Sequence, residues 1–181
     1  MDSLNKDIFR VLIDERTIEK RVRELGSILS KEFEDKNPVL ICVLRGAVVF
    51  LTELMKCMTI PLEIDFIAVS SYGDSTTSSG VVKIKKDLDI DIKDRHIILV
   101  EDIIDTGFTL MFLQNHLRRL QPKSITNCAL LDKPSLHKTE VKVEYIGFVA
   151  EEDFYVGYGL DYAERYRNLP YIGVLKEEIY K

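Results

Sequence analysis

Hydrophobic residues recur along this chain with two periods, and the alternation between the two outlines a fold. From Asp14, a suitable N-cap, apolar positions fall at Ile18, Val22, Leu25, Ile28, Leu29 and Phe33, a spacing that lines one face of a helix. The run "PVLICVL" (38 to 44) is continuous and apolar, Arg45-Gly46 punctuates it, and "AVVFLTELMKC" resumes helical character. "LEIDFIAVS" (62 to 70) and "VVKIKK" (81 to 86) alternate as strands do, with the polar stretch "YGDSTTSSG" between them. "HIILV" then leads into an acid-rich turn, after which Leu110, Leu113, Leu117 and Leu120 mark a helical stripe that Gln121-Pro122 stops. "SITNCALL" (124 to 131), "VEYIGFV" (143 to 149) and "YIGVL" (171 to 175) complete the apolar strands.

Strands that are apolar on both faces and alternate with helices predict an α/β domain, with a mostly parallel central sheet flanked by helices. Ligands of such sheets bind at the carboxyl ends of the strands. Three polar turns follow three of these strands: Arg45-Gly46, Glu101 to Thr109, and Asp132-Lys133. All three are expected to open on one edge and share a crevice.

Composition narrows the function. A chain of 181 residues, 46% of them hydrophobic, with no internal repeat and with five scattered prolines, reads as one domain spanning 1–181. A net charge of −5 with interspersed signs offers no basic field, so neither nucleic acid nor a membrane surface is expected as a partner. Cys42, Cys57 and Cys128 are odd in number and never form a C-x-x-C pair, which argues against a disulfide framework or zinc site and suits a reducing cytoplasm. The opening "MDSLNKDIFRVLIDE" lacks the apolar core of a signal peptide, and runs such as "VLICVL" fall far short of a membrane span.

The stretch "ILVEDIIDTGFTL" (98 to 110) poses the chemical question. A Thr-Gly-x-Thr turn at a helix start presents backbone N–H groups and hydroxyls to an anion, yet Glu101, Asp102 and Asp105 stand in the same turn without a lysine. Neither G-x-x-x-x-G-K-[ST] nor G-x-G-x-x-G occurs, which removes the main support for a kinase-like reading. A ligand carrying both a phosphate and vicinal hydroxyls reconciles the two halves. Thr106, Gly107 and Thr109 would hold the phosphate while the carboxylates accept hydrogen bonds from ribose hydroxyls and favour nearby Mg²⁺.

"VEDIIDTGFTL" resembles the phosphoribosyl-pyrophosphate (PRPP) motif of the type I phosphoribosyltransferases. More narrowly, "LRGA" (44 to 47), "SSYGDSTTSSGVVKI" (70 to 84), "LLDKP" (130 to 134) and "DFYVGYGLDYAERYRNLPYIGVL" (153 to 175) are similar, in order, to segments of the bacterial hypoxanthine and hypoxanthine-guanine members. The resemblance implies the type I fold with a small hood region, and transfer of 5-phosphoribose from PRPP to N9 of hypoxanthine or guanine with Mg²⁺ as cofactor. It also implies a homodimer or homotetramer.

Site roles carried over from the resemblance are these. Glu101 and Asp102 would bind the ribose hydroxyls and metal, and Asp105, Thr106, Gly107, Phe108 and Thr109 the 5′-phosphate, with Asp105 also placed as general base near N7. Leu44, Arg45 and Gly46 would form a pyrophosphate loop with a non-proline cis peptide, Arg167 would join them, and Asp161 would hold metal. Lys133, Phe154 and Tyr155 would bind the purine, Lys133 at its 6-oxo group and Phe154 by stacking, while Ser71 and Tyr72 would begin a loop that closes over the centre. Phe108 and Arg45 both replace lysines of some relatives, and Asp153 stands where others carry lysine before the stacking aromatic. The alternative is a PRPP- or nucleotide-sensing regulatory protein of the same fold without turnover.

Overall fold

The apolar run at 39–44 organises the molecule, because a strand of six residues with almost no polar side chains must be covered on both faces. A computed structural model describes residues 2–71 and 82–181. In chain order these form α1 (Asp2–Asn5), β1 (Ile8–Ile13), α2 (Glu15–Glu32), β2 (Val39–Leu44), α3 (Val48–Cys57), β3 (Glu63–Ser71), β4 (Val82–Lys86) and β5 (His96–Ile104). They continue through α4 (Phe108–Arg119), β6 (Ser124–Asp132), a short 3₁₀ turn (Pro134–Leu136), β7 (Tyr145–Val149), β8 (Tyr155–Val156), β9 (Ile172–Leu175) and α5 (Glu177–Tyr180).

The main sheet has the order β4-β3-β2-β5-β6-β7 and is parallel except for the antiparallel β3–β4 pair. Val39, Ile41 and Val43 join one buried cluster with Ile97 and Leu99, while Leu40 and Cys42 join another with Ile98 and Val100, as alternation in a doubly covered sheet requires. The α2 helix starts where expected: the Asp14 side chain accepts the Thr17 N–H at 2.9 Å, and Ile18, Val22, Leu25 and Leu29 are buried. Ile28 departs from the expected stripe and is 45% exposed, because it lies one position off the face that Leu25 and Leu29 define.

Two expectations are corrected. The strand that begins with "HIILV" does not stop before the acids; it pairs with β6 through Ile104, so Glu101 and Asp102 are strand residues. "YIGVL" does not extend the main sheet but forms the centre of a separate antiparallel sheet, β1-β9-β8. Its partners were unmarked in the sequence, since β1 alternates poorly (Phe9 and Val11 are exposed) and β8 has two residues.

Order along the main sheet places the site. From β2 the chain moves outward to β3 on one side, whereas β5 leads through α4 to β6 on the other. The strand order therefore reverses between β2 and β5, and at such a switch point the loops beyond the carboxyl ends part to leave a crevice.

Candidate active site

The β2 and β5 turns meet in this crevice. The peptide between Leu44 and Arg45 is cis, and the backbone of Gly46 lies directly beneath the Asp102 carboxylate, so close that a Cβ at position 46 would collide with Oδ2. Only glycine permits that approach. The carbonyl of Gly46 in turn lies against Gly159, which brings the 157–169 segment onto the same loop.

Glu101 is 5% exposed and Asp102 half-buried, with no lysine or arginine among the described residues bonded to either. Burial, and then the neighbouring Asp102 charge, hold the Glu101 carboxyl well above the usual range. Burial also pushes Asp102 up to about 6, although the Ile103 N–H donates to its Oδ1 at 2.8 Å and Arg167 pulls it back; Asp161 adds to the rise. An acid pair held this way favours a cation or a hydroxyl donor. Strand alternation also loses a step here: Ile98 and Val100 face the same cluster as Ile103, while Ile97 and Leu99 face that of Ile104.

Beyond the acids, Asp105 is exposed, and Thr106, Phe108 and Thr109 are half-buried. Gly107 caps α4 in the left-handed region at φ +83°, with no side-chain cap, so the first N–H groups of the helix remain available to a ligand. The turn is braced from behind, where Lys138 N–H donates to the Thr106 carbonyl at 2.9 Å and Lys133 N–H to the Ile104 carbonyl at 2.9 Å.

Lys133 follows β6, is 7% exposed, and extends its ammonium 2.9 Å from the Asp153 carbonyl and 4.9 Å from the Tyr155 ring centre. A buried lysine with a single carbonyl partner keeps two N–H donors for a ligand oxygen. Phe154 is half-buried beside Tyr162, and Asp153 pairs with Arg10 of β1 at 2.9 Å, so the acid found in place of a lysine has a cation of its own.

On the opposite wall, Arg167 forms an ion pair with Asp161 Oδ1 at 2.9 Å and donates to the Gly159 carbonyl at 2.8 Å, and its Nε is buried without a partner among the described residues. Glu164 joins it to the β2 turn, bonding Arg45 at 2.6 Å and Arg167 at 3.4 Å. Desolvation raises the Glu164 carboxyl, but Arg45 and then Arg167 outweigh it and leave it below the usual range. The sequence pattern did not single out Glu164. Its backbone is left-handed at φ +61°, next to Ala163 at +50°, so neither helical nor strand spacing relates it to Arg45.

The predicted residues thus fall into one neighbourhood with two qualifications. Asp105 is exposed and bonds to none of the others among the described residues, and Tyr72 lies outside the described residues, with Ser71 the last residue of β3. Among the described residues no group of three or more His, Cys, Asp or Glu converges to hold a metal alone. Mg²⁺ does not need such a cage: one or two carboxylates with ligand phosphate oxygens suffice, and the uncompensated Glu101–Asp102 pair fits that chemistry.

A crevice at the strand-order switch point, with an acid pair on one side and a helix start beside it, is the frame of a ligand-binding α/β protein, and the chain belongs to the phosphoribosyl transferase domain family, which matches residues 12–163. The chain is 52% identical to the hypoxanthine-guanine phosphoribosyltransferase of Bacillus subtilis (strain 168), over 98% of this chain and 99% of that protein. It is 50% identical to the bifunctional protein TilS/HprT of Listeria monocytogenes, matching 99% of this chain but spanning only 28% of that longer protein. Among solved structures, a hypoxanthine phosphoribosyltransferase from Staphylococcus aureus superposes with a TM-score of 0.95 at 40% identity, covering 99% of this chain and 97% of that one. The type I fold expected from the resemblance is therefore the fold of this chain, its three-stranded sheet standing as the hood. None of these relatives carries a name that favours the regulatory alternative.

Proposed function

We infer that this chain is a purine salvage enzyme, transferring 5-phosphoribose from PRPP to N9 of hypoxanthine or guanine and releasing pyrophosphate. The observation that carries the reading is the contact of Asp102 with Gly46, which makes the acid pair and the arginine-bearing loop two walls of one crevice. A bond breaks between C1′ and the pyrophosphate oxygen, which keeps the electron pair, and a bond forms from N9 to C1′. The purine loses one proton.

Each wall has a task in that exchange. The N–H groups at 106–109 hold the 5′-phosphate, and Glu101 and Asp102 accept from the ribose hydroxyls and stabilise positive charge developing at C1′. Asp105, at the turn's exposed crest, takes the purine proton. Lys133 donates to the 6-oxo group, Phe154 stacks on the ring and Tyr155 lines the pocket. Leu44, Arg45, Gly46 and Arg167 receive the departing pyrophosphate, with Arg45 and Arg167 exchanging the Glu164 carboxylate for it. Glu101 and Asp102, or Asp161 from the opposite wall, would hold Mg²⁺ with the ligand's oxygens, and the ion would neutralise pyrophosphate charge.

The chain acts as one domain over 1–181, in the cytoplasm, as a homodimer or homotetramer, without a nucleic-acid or membrane partner. The net charge of −5 offers no basic field to nucleic acid or an anionic membrane, and no helix among the described residues is long and apolar enough to cross a membrane. Chromatography of reactions with PRPP and Mg²⁺ tests the activity: hypoxanthine or guanine is converted to its monophosphate. Absence of product with those bases, xanthine and adenine alike rejects it.

A further inference from the structure

The ring of Phe154 has a neighbour that the reading above does not use. Tyr180 stacks on it, with centroids 4.7 Å apart and planes inclined by 25°, while the Tyr162 ring lies perpendicular to it, with centroids 5.4 Å apart and planes at 89°. Tyr180 belongs to α5, which the backbone pins beside Phe154: Leu175 N–H donates to the Phe154 carbonyl at 2.9 Å, and Lys176 N–H to the Asp7 carbonyl at 3.0 Å. Ile179 and Tyr180 pack with Phe154 and Tyr162 against buried Val156, Tyr166, Leu169 and Leu175. A cavity of about 600 Å³ opens beside the stack, lined in part by Asp153, Leu175 and Tyr180.

We propose that Tyr180 is a positioning residue for the purine: its ring occupies one face of Phe154 and fixes that side chain, so that the other face is a ready platform for a planar bicyclic base. The inference rests on the reading of Phe154 as the stacking residue. A phenyl ring has two faces, and a ring held against a second aromatic loses the rotation that a lone, half-buried phenylalanine keeps. A base that stacks on a fixed ring has less side-chain ordering to accomplish, so it binds more tightly. Tyr180 touches neither the acid pair nor the arginines, and its influence is confined to the base. Nor does it distinguish substituents, because a stack reads the ring's π-face; hypoxanthine and guanine are affected in equal proportion.

The test is steady-state kinetics of the full chain with Tyr180→Ala, Tyr180→Leu and Tyr180→Phe. The first two are expected to raise KM for hypoxanthine and for guanine about three- to tenfold, the range of a single aromatic pair, with KM for PRPP and kcat within about twofold. Tyr180→Phe, which keeps the ring, restores the unsubstituted values. Tyr180→Leu keeps most of the buried apolar area, so it carries the test if the alanine variant loses its fold on heating. An unchanged base KM overturns the proposal, as does a lowered one, which would make Tyr180 a mask over the base's own face. A rise shared equally by PRPP overturns it too. If the unsubstituted chain turns over no 6-oxopurine, the underlying reading of the site fails, and this inference with it.

Discussion

The two walls of the crevice are built on opposite principles. The wall at 101–109 sits between the end of an interior strand and the start of a helix, with Gly107 its one left-handed residue, and among the described residues its Glu101–Asp102 pair forms no ion pair with a lysine or arginine. The wall at 157–167 is irregular, with left-handed backbone at Tyr158, Ala163, Glu164 and Tyr166, and its charges are already paired, Arg167 with Asp161 and Glu164, Arg45 with Glu164. One wall waits for positive charge; the other must release carboxylates before it can hold an anion. Such a division suits a reaction in which a cationic centre develops at the sugar while an anion departs.

The largest expected effect breaks the first wall chemically. Asp105→Asn removes the proton acceptor while leaving the N–H cradle intact, so turnover should fall about 100-fold or more while PRPP binding, measured by titration calorimetry, is largely kept. Unchanged turnover would remove Asp105 from the mechanism. Next, Lys133→Ala should raise KM for hypoxanthine by about tenfold or more, as expected for a lost hydrogen bond to a charged donor, with KM for PRPP little changed. Equal loss for both substrates would instead point to damage of the fold.

The third effect concerns stability. The folded-state pKa of Asp102 lies at about 6, above its ordinary 3.8, so the folded protein binds the proton more tightly and this group's contribution falls as pH rises between those values. Above about 6 the full cost of the buried charge is present. Asp102→Asn should therefore raise the melting temperature of the ligand-free protein at pH 7 by a few degrees, for a gain of about 1 to 3 kcal/mol, and abolish that gain near pH 4, while activity drops. A melting temperature that falls at pH 7 would show the carboxylate to be compensated. The smallest effect sharpens the second wall: Glu164→Gln frees Arg45 and Arg167 from an exposed partner, and KM for PRPP should fall by about two- to fivefold, in line with the weak worth of exposed pairs. A rise would mean that Glu164 holds the arginines in place.

This contrast also explains what could be read in advance. The first wall is local in sequence, so a strand period, a Thr-Gly-x-Thr turn and the Leu110, Leu113, Leu117 stripe together marked it. Even there the pattern placed Glu101 and Asp102 in the turn, because acids seldom end a buried strand, whereas β5 carries them in register with Ala129 and onward. The second wall was identifiable only through resemblance. Arg45 and Glu164 are 119 residues apart, and left-handed backbone erases any period that could have related Glu164 to its neighbours. Phe154 and Tyr180 likewise meet through the antiparallel pairing of β8 with β9, where strands of two and four residues are too short to announce themselves.

The most direct measurement is a crystal structure with guanosine 5′-monophosphate bound. The account places its phosphate within hydrogen-bonding distance of the N–H groups at 106–109, its ribose hydroxyls on Glu101 and Asp102, and its 6-oxo group on Lys133. A nucleotide seated away from the β2–β5 switch point, or one whose phosphate turns toward Arg45 and Arg167 while the 106–109 turn stays empty, would contradict it.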